Sequence, residues 1–103
     1  MTVIAFLSVS PVREGSLAPA VADAVDALDD FEVTYETTPM GTTIETDGIG
    51  ELLDAVEAAH ESVDGDRVST FLKIDDRRAS ESDAPSKVDR VEAELGRPPR
   101  RDR

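Results

Sequence analysis

The chain switches repeatedly between apolar residues spaced by two and apolar residues spaced by three and four, and that rhythm predicts its elements. Along residues 2–10, Val3, Ala5, Leu7 and Val9 share one face of an extended segment, while Ile4 and Phe6, followed by Ser8 and Ser10, share the other. Both faces are apolar for most of its length, the pattern of a central strand covered on two sides. Pro11 and the Arg13-Glu14-Gly15 turn stop it. Ser16 is a suitable N-cap, Pro19 is tolerated in a first turn, and Leu17, Val21, Ala24, Val25 and Leu28 recur at helical spacing, predicting an amphipathic helix that ends near Asp29. Phe31, Val33 and Tyr35 then alternate with polar residues, and the run continues through Thr37 and Thr38 to Pro39-Met40-Gly41; with residues 42–46 it reads as a hairpin.

Asp47 is placed to cap a second helix, whose apolar set is Ile49, Leu52, Leu53, Val56, Ala59 and Val63, and Gly65 closes it. Residues 67–75 alternate again, with Val68, Thr70, Leu72 and Ile74 on one face and Ser69, Phe71, Lys73 and Asp75 on the other. A small polar loop over 79–83 leads to a third helix, opened by Pro85, carrying Val88, Val91 and Leu95, and ended by Gly96. The order β-α-β-β-α-β predicts an α+β, ferredoxin-like sandwich with a four-stranded antiparallel sheet, plus an extra C-terminal helix. Right-handed crossovers put both long helices on one sheet face and the first and third strands in the centre. The other face is bare in a single copy. Because the first strand points apolar groups both ways, and Phe71 and Tyr35 also need cover, that face is expected to pack against another subunit.

Composition bounds what such a chain does. Its 103 residues suit one domain, taken as residues 1–96, with an Arg/Pro tail over 97–103 expected to be flexible. The absence of cysteine excludes disulfides, thiolate metal sites and a cysteine nucleophile. The longest apolar stretch falls far short of the ~18 residues of a spanning helix, so a cytoplasmic protein is expected. Net charge is −12, and only two of the eleven cations are lysines. Acids spread over nearly every element suggest a halophilic surface, since Debye screening shortens to about 3 Å at 1 M salt. The first 66 residues hold 15 acids and a single cation, Arg13, whereas residues 67–103 hold ten cations and eight acids. Such a surface repels phosphate backbones, so no nucleic-acid partner is expected.

The most distinctive segment is Thr37-Thr38-Pro39-Met40-Gly41-Thr42-Thr43-Ile44-Glu45. Threonine hydroxyls both donate and accept, Met40 offers a deformable apolar contact, and Gly41 allows close approach, a combination suited to a flat polar–apolar heterocycle. The alternative is a hairpin whose threonines only favour β structure. Lys73-Ile74-Asp75-Asp76-Arg77-Arg78 ends the fourth strand with mixed charge, where Lys73 meets either a ligand or a facing subunit. His60, the only imidazole, has no second histidine to join in metal or acid–base work and is expected to pack on the sheet. The six glycines form no phosphate-cradling loop and no nucleophile elbow occurs, so the chain is expected not to be an enzyme.

Taken together, Ser8-Val9-Ser10-Pro11, the segment from Tyr35 through Pro39-Met40-Gly41-Thr42 to Glu45, His60-Glu61, and Arg67 through Lys73-Ile74-Asp75-Asp76 to Arg77 closely resemble small thiamine-binding proteins, single-domain relatives of the YkoF-type thiamine/hydroxymethylpyrimidine-binding proteins. The resemblance covers roughly residues 2–95. It implies a ferredoxin-like protomer in a homodimer or homotetramer that binds thiamine or a hydroxymethylpyrimidine-like molecule, with no cofactor. The candidate site is Ser8 and Ser10 for polar contacts, Tyr35 and Phe71 for ring stacking, Thr37, Met40, Gly41 and Thr42 for edge and apolar contacts, and Lys73 and Asp75 as a polar rim. Non-enzymatic binding at a subunit interface is therefore expected. A structural or regulatory oligomer without a small-molecule ligand is the alternative.

Overall fold

The computed structural model describes residues 2–79 and 84–99. Seven elements follow one another: β1 (Thr2–Pro11), α1 (Ala18–Leu28), β2 (Thr34–Thr38), β3 (Gly41–Thr46), α2 (Ile49–Glu61), β4 (Val68–Arg77) and α3 (Ala84–Leu95). The strands form one antiparallel sheet in the order β2-β3-β1-β4, with β1 and β3 central, so the α+β ferredoxin-like architecture and its extra terminal helix are present as expected. Part of the expected 79–83 loop and the end of the tail, residues 80–83 and 100–103, lie outside the described residues.

Alternation in β1 sorts its side chains cleanly. Val3, Ala5, Leu7 and Val9 are buried beneath α1 and α2, and Ile4, Phe6, Ser8 and Ser10 stand half-buried on the opposite, open face. In β3, Thr42, Ile44 and Thr46 join the covered face. Ala20, Ala24 and Leu28 of α1 and Leu52, Ala55, Val56 and Ala59 of α2 close over them, the small alanines letting the helices approach. Leu28, Ile44, Leu52 and Val3 are the largest fully enclosed side chains. Each stabilises the fold by about 1.5–3 kcal/mol through burial, and truncating Ile44 or Leu52 to alanine costs about 2–5 kcal/mol.

Several boundaries differ from expectation for local reasons. Ser16 is not the N-cap of α1: Leu17 is, and Ser16 Oγ accepts the N–H of Ala18 from one position earlier at 3.3 Å. Asp47 does not cap α2 either; Gly48, in an extended conformation, precedes the helix with no side-chain cap bond, which leaves Asp47 one residue too early to reach the first-turn amides. α2 ends at Glu61, short of Gly65, while Val63 still reaches the core. Phe31 and Val33 belong to a turn, Phe31 donating to the Leu28 carbonyl, so β2 begins only at Thr34. β4 extends to Arg77 because β1 pairs with it along its whole length, from Thr2 opposite Arg77 to Pro11 opposite Val68. At the end of α3, Gly96 adopts a φ of 73° and donates to the Glu92 carbonyl, the left-handed helix stop for which glycine suits best.

Tyr35 is the clearest correction. It pairs with Ile44 across the β2–β3 ladder, which puts it on the helix-covered face and not on the open face with Phe71. Its hydroxyl donates to Asp29 Oδ1 at 2.6 Å, at the end of α1.

Candidate functional site

The functional geometry follows from an offset between strands. β1 pairs with β3 only from Val3 through Leu7, whose partner is Thr42; beyond that point the hairpin has turned back, and residues 8–11 of β1 continue beside β4 alone. In an antiparallel ladder every second residue sends its backbone groups to the same side, so this overhang presents N–H and C=O groups where no strand follows. A cavity of about 230 Å³ occupies the gap. Its floor is Leu7 to Ser10, one wall is the α1 stripe of Leu17, Val21, Ala24, Val25 and Leu28, and the other is the hairpin from Thr37 to Thr42.

The hairpin is tied together by its own hydroxyls. Thr37 and Thr42, cross-strand partners, place their Oγ1 atoms 3.3 Å apart, while Thr38 donates to the Gly41 carbonyl at 2.8 Å and accepts the Met40 N–H at 3.3 Å. Thr38 is thus spent on the turn, whereas Thr37 and Thr42 each keep hydrogen-bonding capacity for a guest. Met40 stands at the rim with 80% of its surface exposed. Gly41 is required sterically: a Cβ there would meet the Phe6 ring and the Leu7 carbonyl.

Six of the ten expected site residues, Ser8, Ser10, Thr37, Met40, Gly41 and Thr42, therefore line one cavity. Three others, Phe71, Lys73 and Asp75, lie on β4 on the open face. There Phe71 packs edge-on against Phe6, ring centroids 6.3 Å apart. A shallow cleft of about 350 Å³ between that face and α3 is lined by Ile4, Phe6, Thr43, Lys73, Asp75 and Lys87. Lys87 of α3 donates to Asp75 Oδ2 at 2.7 Å, and this bond, with the charges of Lys87, Arg77 and Lys73, holds the Asp75 carboxyl below its ordinary value. Tyr35 lines neither region. Its phenol is held above its ordinary value, first by the hydrogen bond to Asp29 and further by burial and by the charges of Asp29 and Asp26.

Sequence reasoning missed the α1 wall, because Leu17, Val21 and Val25 carry the same helical spacing as core residues; only the shortness of β3 relative to β1 exposes them to a cavity. Lys87 was missed as well, since its contact with Asp75 crosses twelve residues. His60, expected to pack on the sheet, is exposed near the end of α2, and its Nδ1 lies 2.5 Å from Thr70 Oγ1 of β4. Among the described residues no group of three or more His, Asp or Glu side chains could hold a metal ion, and no helix is long and apolar enough to cross a membrane.

The sequence profile of the family described as thiamine-binding protein matches residues 5–92, a span that includes the overhang, the α1 wall and the hairpin. The chain belongs to the thiamine-binding protein family. Within it, the chain is 46% identical over 83 residues to a UPF0045 protein of Methanothermobacter thermautotrophicus, covering 78% of this chain and 84% of the relative. A UPF0045 protein of Methanocaldococcus jannaschii is 36% identical over 89 residues, covering 84% of this chain and 88% of the relative. Among solved structures, a hypothetical protein of Methanocaldococcus jannaschii superposes with a TM-score of 0.80 at 34% identity, over 87% of this chain and 95% of the other. A Thermotoga maritima protein, assigned provisionally to thiamine biosynthesis or salvage, superposes with a TM-score of 0.73 at 25% identity, over 88% and 99%.

Proposed function

We propose that this protein binds thiamine or a related pyrimidine without chemical turnover, in a homo-oligomer, with the ligand seated in the α1–hairpin cavity where it meets the open sheet face. The observation that carries the reading is the convergence of Ser8, Ser10, Thr37, Met40, Gly41 and Thr42 on one small cavity in a chain whose family is described as thiamine-binding. Neutral hydroxyls and strand-end backbone groups suit the donor–acceptor edge of an aminopyrimidine, and the leucine and valine wall suits its ring faces. A surface with net charge −12 draws in a thiazolium cation.

The subunit-interface part of the reading is supported by the open face. Ser8 and Ser10 point onto it, and Phe71, 59% exposed, neighbours Ser8 across the ladder, so a second copy stacked there completes the cavity rim. Phe71, Lys73 and Asp75 then serve the contact between copies and only secondarily the ligand. The absence of cysteine and the dispersed acids fit a cytoplasmic protein working in concentrated salt.

Calorimetric titration of the full chain with thiamine in molar salt tests this, with Ala24→Leu as the comparison. Ala24 is buried and borders the cavity, so a leucine there fills it. Saturable heat that disappears in the variant is the expected result. No heat and no thermal shift with millimolar thiamine would instead favour an oligomer without a ligand, a reading to which the internal bonding of Thr37, Thr38 and Thr42 lends weight.

A further inference from the structure

Every residue lining the α1–hairpin cavity is uncharged: five are serine or threonine, namely Ser8, Ser10, Thr37, Thr38 and Thr42, and the rest are apolar residues and Gly41. A phosphate ester needs a cation, a set of free backbone N–H groups or an escorting divalent ion. The helix N-terminus that borders the cavity, through Leu17 and Val21, is blunted as an anion site. Ala18 N–H already donates to Ser16 Oγ at 3.3 Å, Pro19 has no N–H, and Val21 N–H is bonded to the Leu17 carbonyl at 3.0 Å. Of the turn's amides, those of Leu17 and Ala20 are left.

Among the described residues no cation lines this cavity. Arg13, the single cation of the first 66 residues, lies exposed in the β1–α1 connection beside Glu14 and does not line the cavity. Both lysines of the chain, Lys73 and Lys87, line the cleft on the open face. No acidic cluster among the described residues could hold a magnesium ion.

We infer that this cavity selects the unphosphorylated form of its ligand and rejects the corresponding mono- and diphosphate esters. The inference rests on the thiamine reading above and specifies which chemical state of that ligand is taken. A phosphate drawn into the cavity exchanges its water for neutral hydroxyls and the few strand-end amides of β1, with no cation in the lining to balance its charge, and one left at the mouth faces a segment with 15 acids and one cation. A protein with this preference handles its ligand before a phosphoryl-transfer step on the ligand's hydroxyl, or after the hydrolytic step that reverses it.

The experiment is calorimetric titration of the full chain with thiamine, thiamine monophosphate and thiamine diphosphate, each with and without magnesium, at about 0.15 M and about 2 M salt. Thiamine is expected to bind in every condition, and each ester at least ~10-fold more weakly, a gap that narrows but persists in high salt because the lining itself is neutral. Equal affinity for thiamine and either ester, or preference for an ester, overturns the inference and leaves a ligand of this class bound. Failure of all three to bind overturns the thiamine reading itself and this inference with it.

Discussion

Gly41 is where the hairpin, β1 and the open face meet, and replacing it with alanine challenges all three at once. A Cβ at this position would stand 2.5 Å from Phe6 Cζ and 2.8 Å from the Leu7 carbonyl oxygen, on a backbone with φ of 157°. The phenyl ring can swing aside only by leaving its edge-on contact with Phe71. The carbonyl cannot, because Leu7 is held in register opposite Thr42 and Leu72 in the two central ladders. Overpacking of this kind costs about 1–3 kcal/mol and the positive φ adds about 1 kcal/mol, so Gly41→Ala is expected to lose about 2–4 kcal/mol. For a domain of this size each kcal/mol moves the midpoint by ~4–8 °C, giving a fall of roughly 10–30 °C in a thermal melt followed by circular dichroism. Gly50→Ala is the control. It lies in the first turn of α2 with nothing within 4 Å of the added Cβ, and it is expected to stabilise by about 0.5–1 kcal/mol. A Gly41→Ala melt within ~3 °C of the parent would refute the close packing of Phe6 and Leu7 on the hairpin.

Three further outcomes follow from the same geometry. If copies pair through the open face as proposed, light scattering in high salt is expected to read an oligomer for the parent chain and a monomer for Phe71→Ala, with circular dichroism showing the variant still folded; a monomeric parent or an unchanged variant mass would remove the open face as the contact. The Tyr35 phenol, raised above 10.0 chiefly by its bond to Asp29, contributes stability that is complete below about pH 10 and is lost as pH rises through the elevated titration; ultraviolet titration of Asp29→Asn should return it toward the ordinary value. Asp75, lowered from 3.8 chiefly by Lys87, contributes stability that is present above that value and is lost as pH falls through the depressed one. Carboxyl chemical shifts in Lys87→Ala should move its titration upward, and an unmoved titration would mean that α3 does not dock on β4 through this pair.

Much of the fold was legible along the chain because the apolar spacing of β1, α1, α2 and β4 is regular and bounded by proline, glycine and small polar residues. The places where reading by pattern misled are those where a contact distant in sequence overrides the local signal. Ser16 and Asp47 are good capping residues by type, yet the backbone turns into each helix one position after them. Phe31 and Val33 continue the alternation of Tyr35 but are drawn into the turn that closes on Leu28. Alternation also cannot say which face of an edge strand is covered, and pairing with Ile44 alone puts Tyr35 beneath the helices.

The same division runs through the candidate site. Composition and order by themselves determined the α+β class, the four-stranded sheet with β1 and β3 central, the net negative charge and the Thr-Pro-Met-Gly-Thr hairpin, because these depend on local spacing and on charge. Only the tertiary structure decided that the ten candidate residues separate into a cavity group, an open-face group and Tyr35. That separation comes from strand register: β1 outruns β3 beyond Leu7, opening a gap that α1 roofs, and the pleat sends Phe71, Lys73 and Asp75 to the opposite face. Register is a property of two strands together, so no reading of either strand alone contains it.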